Sequence, residues 1–250
     1  MSFTTLLYHE IREASMLHPD LSSPIRVRQN YEDNLPSPLF VSLEDFKEQM
    51  AYLYDNGYCT LTLTQIIDFY YSGTPLPEKS VLLTFDDCYQ SIARYAYPIL
   101  KEYHFKATAF VVTGWLNDNR EPFDPNRSVC LTKEDLISMT DVFEYANHTD
   151  LFHTRSGVTT SIMMEVSDHD LAEDLDRCNG YPLIQAKKVF AYPFGLYVDR
   201  NVELLRSKGY LLAFTSQKGR NEKDTDPLLL KRNVIPYFMT MEDFRKLLFY

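Results

Sequence analysis

The sequence predicts an α/β protein whose parallel strands form a barrel or an open sheet. Short strand-like runs alternate with amphipathic helical stretches along most of the chain, the pattern of successive βα units. About seven or eight such strands can be counted. A length of 250 residues suits one α/β barrel.

Thr4–His9 (TTLLYH) reads as a buried strand. A helix follows over Phe40–Asn56, with Phe46, Met50, Leu53 and Tyr54 at helical spacing. Ser42 and Asp45 make a capping box in which Asp replaces the usual Glu, and Gly57 stands where a C-cap is expected. Tyr58–Leu63 is strand-like and Thr64–Tyr71 a short helix. Val81–Phe85 (VLLTF) is a continuous apolar strand, followed by a helix over Ser91–Tyr103 and a strand over Ala107–Val112. Phe143–Ala146 is a short strand, Asp168–Cys178 a helix and Val189–Tyr192 a strand. Asn201–Lys208 is a helix capped by Gly209, and Tyr210–Thr215 and Asn233–Ile235 are the last strands. Met241–Phe249 is a terminal helix. Glu13–Pro38 and Asn117–Ser128 lack a regular pattern and read as surface loops of the length that functional loops often have. No repeat, low-complexity tract or linker interrupts the chain, so residues 1–250 are expected to form one domain.

Composition narrows the function. The formal net charge of −10 argues against nucleic acid, which needs clustered Lys and Arg, and fits a neutral or cationic ligand better. The 18 Tyr and 16 Phe suit a sugar-binding surface, although most such residues belong to cores. Cys59, Cys88, Cys130 and Cys178 form no CxxC pair, so no zinc knuckle is expected. No signal peptide or membrane-spanning run is visible. The expected location is the cytoplasm as the sequence stands, or the cell surface or exterior if a leader is missing.

Several polar residues gather at predicted strand ends. Asp86 and Asp87 directly follow VLLTF, at the carboxyl end of a strand where catalytic groups of α/β proteins collect. One carboxylate can bind a metal while the other takes a proton; an Asp pair alone is more often a turn or helix cap. His148 and His153, in NHTDLFH, carry good metal-binding nitrogens. Their five-residue step makes the rings diverge on either a helix or a strand, so they meet at one ion only if the segment turns. His9 ends the first strand and YPFG, Tyr192–Gly195, ends another; alone, each has an ordinary reading as a packed histidine or a Pro-Gly turn. In a barrel, all four strand ends converge on one face.

The motifs LLYHE, TFDD, NHTDLFH and YPFG occur in this order across nearly the whole chain. In this combination the sequence resembles the polysaccharide deacetylases, the NodB-homology group of carbohydrate esterases, and within it the biofilm poly-N-acetylglucosamine deacetylases. The resemblance implies an irregular (β/α) barrel of about seven parallel strands. It implies metal-dependent hydrolysis of N-acetyl groups from an amino-sugar polymer or oligomer, releasing acetate. By the same resemblance Asp87, His148 and His153 bind a divalent metal, with zinc expected. Asp86 is the general base, His9 in protonated form the general acid, and the Phe194 N–H a donor to the oxyanion. Arg232 is the candidate for the residue that orients the base. Cys88 departs from the family, which has Gly after TFDD. A left-handed turn there would strain a cysteine by about 1–2 kcal/mol. The thiol is expected to be packed, with metal ligation as the alternative. Two other functions stay open: deacetylation of a small cytoplasmic sugar or amide, and a catalytically weak glycan-binding barrel, which Cys88 would favour.

Overall fold

The computed structural model describes residues 1–29 and 31–248. Among them, nine strands form one sheet: β1 (Ser2–Tyr8), β2 (Cys59–Thr60), β3 (Ser80–Asp86), β4 (Ala107–Val111), β5 (Phe143–Asn147), β6 (Ala186–Ala191), β7 (Leu212–Phe214), β8 (Arg220–Glu222) and β9 (Asn233–Val234). The order is β7-β6-β5-β4-β3-β1-β8, with β2 added to β3 and β9 to β1. Every pairing is parallel except β1 with β8. The helices are α1 (Leu43–Asp55), α2 (Leu63–Ile67), α3 (Tyr97–Glu102), α4 (Lys133–Ile137), α5 (Ile162–Glu165), α6 (Asp168–Gly180), α7 (Asp199–Ser207) and α8 (Met241–Leu248). The result is a half-barrel with flanking helices, the expected α/β class, in a parallel-dominant sheet whose order runs from β7 to β8. The antiparallel β8 escapes sequence reading because Arg-Asn-Glu has no apolar alternation; only Asn221 is buried.

Parallel strands here are buried on both faces, which is why β3 and β4 read as unbroken runs of apolar and small residues: every residue of both is buried. The helices start and stop on local chemistry. Ser42 Oγ accepts the Asp45 N–H at 2.8 Å, which begins α1 at Leu43, and Gly57 in the left-handed region (φ 68) ends it. The predicted helix began too early: Phe40–Ser42 is extended and pairs in parallel with Glu10–Arg12. The helix expected over Ser91–Tyr103 opens as a wide π turn, Ile92–Ala96, before α3. Pro98 near the start of α3 has no N–H for a regular bond back into the preceding turn. The terminal helix matches expectation through Leu248; Phe249 lies outside the described residues.

Two segments read as loops contain structure that shapes the site. Within Glu13–Pro38, Ser22–Arg26 and Asn34–Pro36 pair as an antiparallel hairpin. Ser128–Val129 pairs in parallel with Ile25–Arg26, so the hairpin is tied to the body of the protein. Its short, proline-containing strands carry no period-2 signal that sequence reading could use.

Candidate active site

β1, β3, β5 and β6 run in parallel and end on the same side of the sheet, so His9, Asp86–Asp87, His148 and the Tyr192–Gly195 turn meet around one cavity. Its volume is about 280 Å³, and its wall includes His9, Asp86, Asp87, His148, His153 and Phe194. Six of the seven residues expected from the sequence therefore line it. Arg232, the seventh, lies behind the wall, paired with Asp86.

Asp86 ends β3. Arg232 grips it through two bonds, Nη1 to Oδ1 at 2.7 Å and Nη2 to Oδ2 at 2.8 Å, and its own Nε–H donates to the Thr215 carbonyl at 2.8 Å. Both side chains are buried. Burial pushes the Asp86 carboxyl up, but Arg232, with His148 and His9 adding to it, prevails and holds it at about 2. Asp86 is thus a fixed carboxylate whose orientation is set by a planar guanidinium fork.

Asp87 leaves the strand through a sharp turn. The Cys88 N–H donates to the Asp86 carbonyl at 2.9 Å around Asp87 (φ 70), closing a three-residue turn of the rare, strained kind. Cys88 follows at φ 56, so the strain expected for a non-glycine residue there is present. Its side chain is fully buried in the apolar core with Sγ toward the Phe110 carbonyl at 3.9 Å, and it is not part of the cavity wall. The packed-thiol reading holds, and the feature that favoured a catalytically weak barrel does not touch the site.

The two histidines meet because the segment between them turns. Thr149 is left-handed (φ 76). The buried carboxylate of Asp174, on α6, accepts the N–H groups of Asp150 and Leu151, both at 2.8 Å. The rings of His148 and His153 then lie 4.7 Å apart. His148 Nδ1 donates to the Ala191 carbonyl at 2.7 Å, since a carbonyl only accepts, and this leaves Nε2 with its lone pair toward the acids. His148 Nε2 lies 3.7 Å and His153 Nε2 3.4 Å from Asp87 Oδ1.

These donors fit a divalent metal. A tetrahedral ion with bonds of about 2.1 Å needs donor separations of about 3.4 Å. Asp87 Oδ1 is buried and has no hydrogen-bond partner. Burial and the neighbouring Asp86 push the Asp87 carboxyl well up, a cost that a cation would remove. Burial holds His148 and His153 below the usual histidine range, so both rings are neutral as ligands must be. Among the described residues, Asp87, His148 and His153 form such a cluster, with no cysteine in it.

Phe194 and His9 also line the cavity. Phe194 is left-handed (φ 58), its ring is 4.4 Å from that of His153, and the Arg155 guanidinium lies over the Phe194 ring at 4.3 Å from its centre. The next residue must be glycine: at φ 68, a Cβ on Gly195 would sit 1.9 Å from Ser216 Oγ. Of the six non-glycine residues with positive φ among the described residues, Asp87 and Phe194 line the cavity, and Cys88 and Thr149 directly follow Asp87 and His148 in the chain. Strain concentrated in this way marks a functional constraint. His9 Nδ1 is enclosed without a partner. Burial pulls its pKa down to about 4, with Asp86 opposing and Arg232 and His148 reinforcing. A neutral resting His9 differs from the protonated form expected from the sequence; desolvation outweighs the nearby carboxylate.

Sequence reading missed Trp115, Arg155, Ser216 and Asp33, which also line the cavity. Trp115 alone had a signal, as the single tryptophan. Its fully buried ring meets His153 edge-on at 4.6 Å.

The sequence itself matches a known family. The polysaccharide deacetylase model matches residues 73–213, and the chain belongs to that family of hydrolases. Among curated proteins it is similar to the poly-beta-1,6-N-acetyl-D-glucosamine N-deacetylase of Staphylococcus aureus (strain NCTC 8325 / PS 47). The two are 28% identical over 225 residues, which span 87% of this chain and 73% of that protein. The fold is similar to that of the Streptococcus pyogenes deacetylase PplD in complex with acetate (TM-score 0.77, 24% identity, 100% of this chain and 99% of that one). It is also similar to that of IcaB from Ammonifex degensii (TM-score 0.72, 24% identity, 98% and 94%).

Proposed function

We propose that this protein removes N-acetyl groups from a polymer of N-acetylglucosamine, releasing acetate and a free amine, with Asp87, His148 and His153 holding one divalent ion, zinc. The observation that carries this is the Arg232-clamped carboxylate of Asp86 beside an unpartnered Asp87 oxygen and two neutral imidazoles in one cavity. The staphylococcal relative named for the β-1,6-linked polymer supports the substrate class.

When bound, the ion supplies Lewis-acid polarisation of the acetyl carbonyl and of the attacking water. Asp86 accepts the proton of that water; Arg232 keeps it ionised and correctly turned. The Phe194 N–H donates to the oxygen of the tetrahedral intermediate. His9 delivers a proton to the departing nitrogen, without which an amine leaves poorly. Burial holds the pKa of His9 down, so the proton it delivers has to be acquired within the cycle.

The test is acetate release from fully acetylated β-1,6- and β-1,4-linked oligomers after zinc is restored to chelator-treated protein. Release from the β-1,6 series, together with loss of both bound zinc and turnover in a folded His148→Ala variant, is expected. Zinc-replete protein that releases no acetate from either series would overturn the reading.

A further inference from the structure

The cavity has a third acid that the mechanism does not use. Asp33 lies at the turn end of the hairpin formed by Ser22–Arg26 and Asn34–Pro36, and it lines the same cavity as Asp86 and Asp87. Among the described residues, no Lys, Arg or His forms an ion pair with it.

Its position is closely held. The Tyr31 hydroxyl donates to Oδ2 at 2.7 Å and the Asn34 N–H to Oδ1 at 2.7 Å. The Asp33 carbonyl accepts the Ile25 N–H at 3.0 Å across the hairpin, and Ile25 is tied to Ser128. The Tyr31 ring stacks on Trp115 (5.2 Å, 27°), the residue whose edge meets His153. A rigid chain of contacts thus fixes the Asp33 carboxylate relative to the metal-ligating histidine. Burial pushes the Tyr31 phenol up, and the carboxylates of Asp33 and Asp87 push it further, so it remains a donor.

A carboxylate has about four acceptor positions, and two are used, which leaves about two for a ligand. The occupant must offer hydrogen-bond donors. A cavity of about 280 Å³ takes roughly one sugar unit, and the donors of an acetylated amino sugar, apart from its amide, are hydroxyls. We infer that Asp33 is a specificity-determining residue whose carboxylate accepts hydrogen bonds from ring hydroxyls of the acetylated sugar unit in the cavity. The inference rests on the proposed function. It makes the hairpin the part of the protein that distinguishes a sugar from a simple acetamide.

The experiment compares wild type, Asp33→Asn and Asp33→Ala on three substrates, a fully acetylated N-acetylglucosamine oligomer, a partly deacetylated one and an aryl acetate ester without hydroxyls. With Asp33→Ala, KM for the oligomer should rise about tenfold or more, the loss expected when a hydrogen bond to a charged group is removed, with kcat little changed. The ester should react as in wild type. Asp33→Asn, which keeps one acceptor oxygen, should fall between. Equal losses on the fully acetylated oligomer and the ester would show that Asp33 only shapes the wall, and an unchanged KM for that oligomer would show that it does not meet the sugar; either overturns the inference. A loss confined to partly deacetylated oligomers would overturn the hydroxyl assignment in favour of an ammonium. If the wild type hydrolyses the ester but releases no acetate from any oligomer, the proposed function fails and the inference falls with it, an outcome separate from those in which the wild type is active.

Discussion

Replacing Arg232 by Met removes the guanidinium paired with Asp86 while keeping much of the side chain's volume. Asp86 and Arg232 are both buried and joined by two bonds of 2.7 and 2.8 Å. The variant leaves Asp86 charged, enclosed and adjacent to Asp87. Breaking a buried pair on one side costs about 3–5 kcal/mol. For a chain of this size that is a fall in Tm of about 6–20 °C. The measurement is thermal unfolding with chelator present, so that bound metal does not mask the change. Arg232→Lys keeps the charge without the two-pronged geometry and should recover part of the loss. Placing Asp86→Asn in the Arg232→Met background should cost less than in wild type, because the stranded charge has gone; the coupling should lie within about 0.5–3 kcal/mol. A Tm within about 2 °C of wild type for Arg232→Met, or strict additivity in the cycle, would refute the assignment of Arg232 as the clamp on the base.

Three other outcomes are expected. Asp86→Asn should retain stoichiometric metal by elemental analysis but lose roughly 10²–10⁴-fold in acetate release; near wild-type turnover at full loading would remove Asp86 from the role of base. His9→Ala should slow amide hydrolysis far more than hydrolysis of an activated ester, whose leaving group needs no proton, and equal slowing of both would exclude a general-acid role. Glu10 is buried against Arg12 and accepts from Ser128, yet burial outweighs these partners and raises its pKa from 4.5 to about 7. A folded-state value above the unfolded one contributes stability that is present below pH 4.5 and lost as pH rises through about 7. Glu10→Gln should therefore gain about 3 kcal/mol relative to wild type between pH 4.5 and 7.5 in denaturant unfolding; a parallel pH dependence of the two proteins would contradict the shift.

The elements legible in the sequence are those set by neighbours along the chain. The unbroken VLLTF run appears as β3, Ser42 caps α1, and Gly57 and Gly209 take the left-handed conformation that ends their helices. Each depends on contacts within a few residues. The hairpin Ser22–Arg26/Asn34–Pro36 was not legible because its short strands lack a period, and strand β8 because its partner β1 is distant in sequence and its own residues lack one. The resemblance in TFDD, NHTDLFH and YPFG identified most of the site, but the residues alone left open whether His148 and His153 could face one ion.

The sequence by itself determined the α/β class, the strand-end placement of Asp86, Asp87, His148 and His9, and the residue types able to hold a metal and move a proton. Tertiary structure decided which of these groups act together and in what charge state. Asp174 on α6 turns the histidine loop, Arg232 reaches across 146 positions to Asp86, and Asp33 arrives on a hairpin that showed no pattern of its own. It also leaves His9 neutral and Asp86 ionised at rest, because desolvation and through-space charge depend on the enclosing sheet rather than on adjacent residues. Local propensity acts over a few residues, whereas burial, ion pairing and cavity shape exist only once the parallel strands bring their carboxyl ends together.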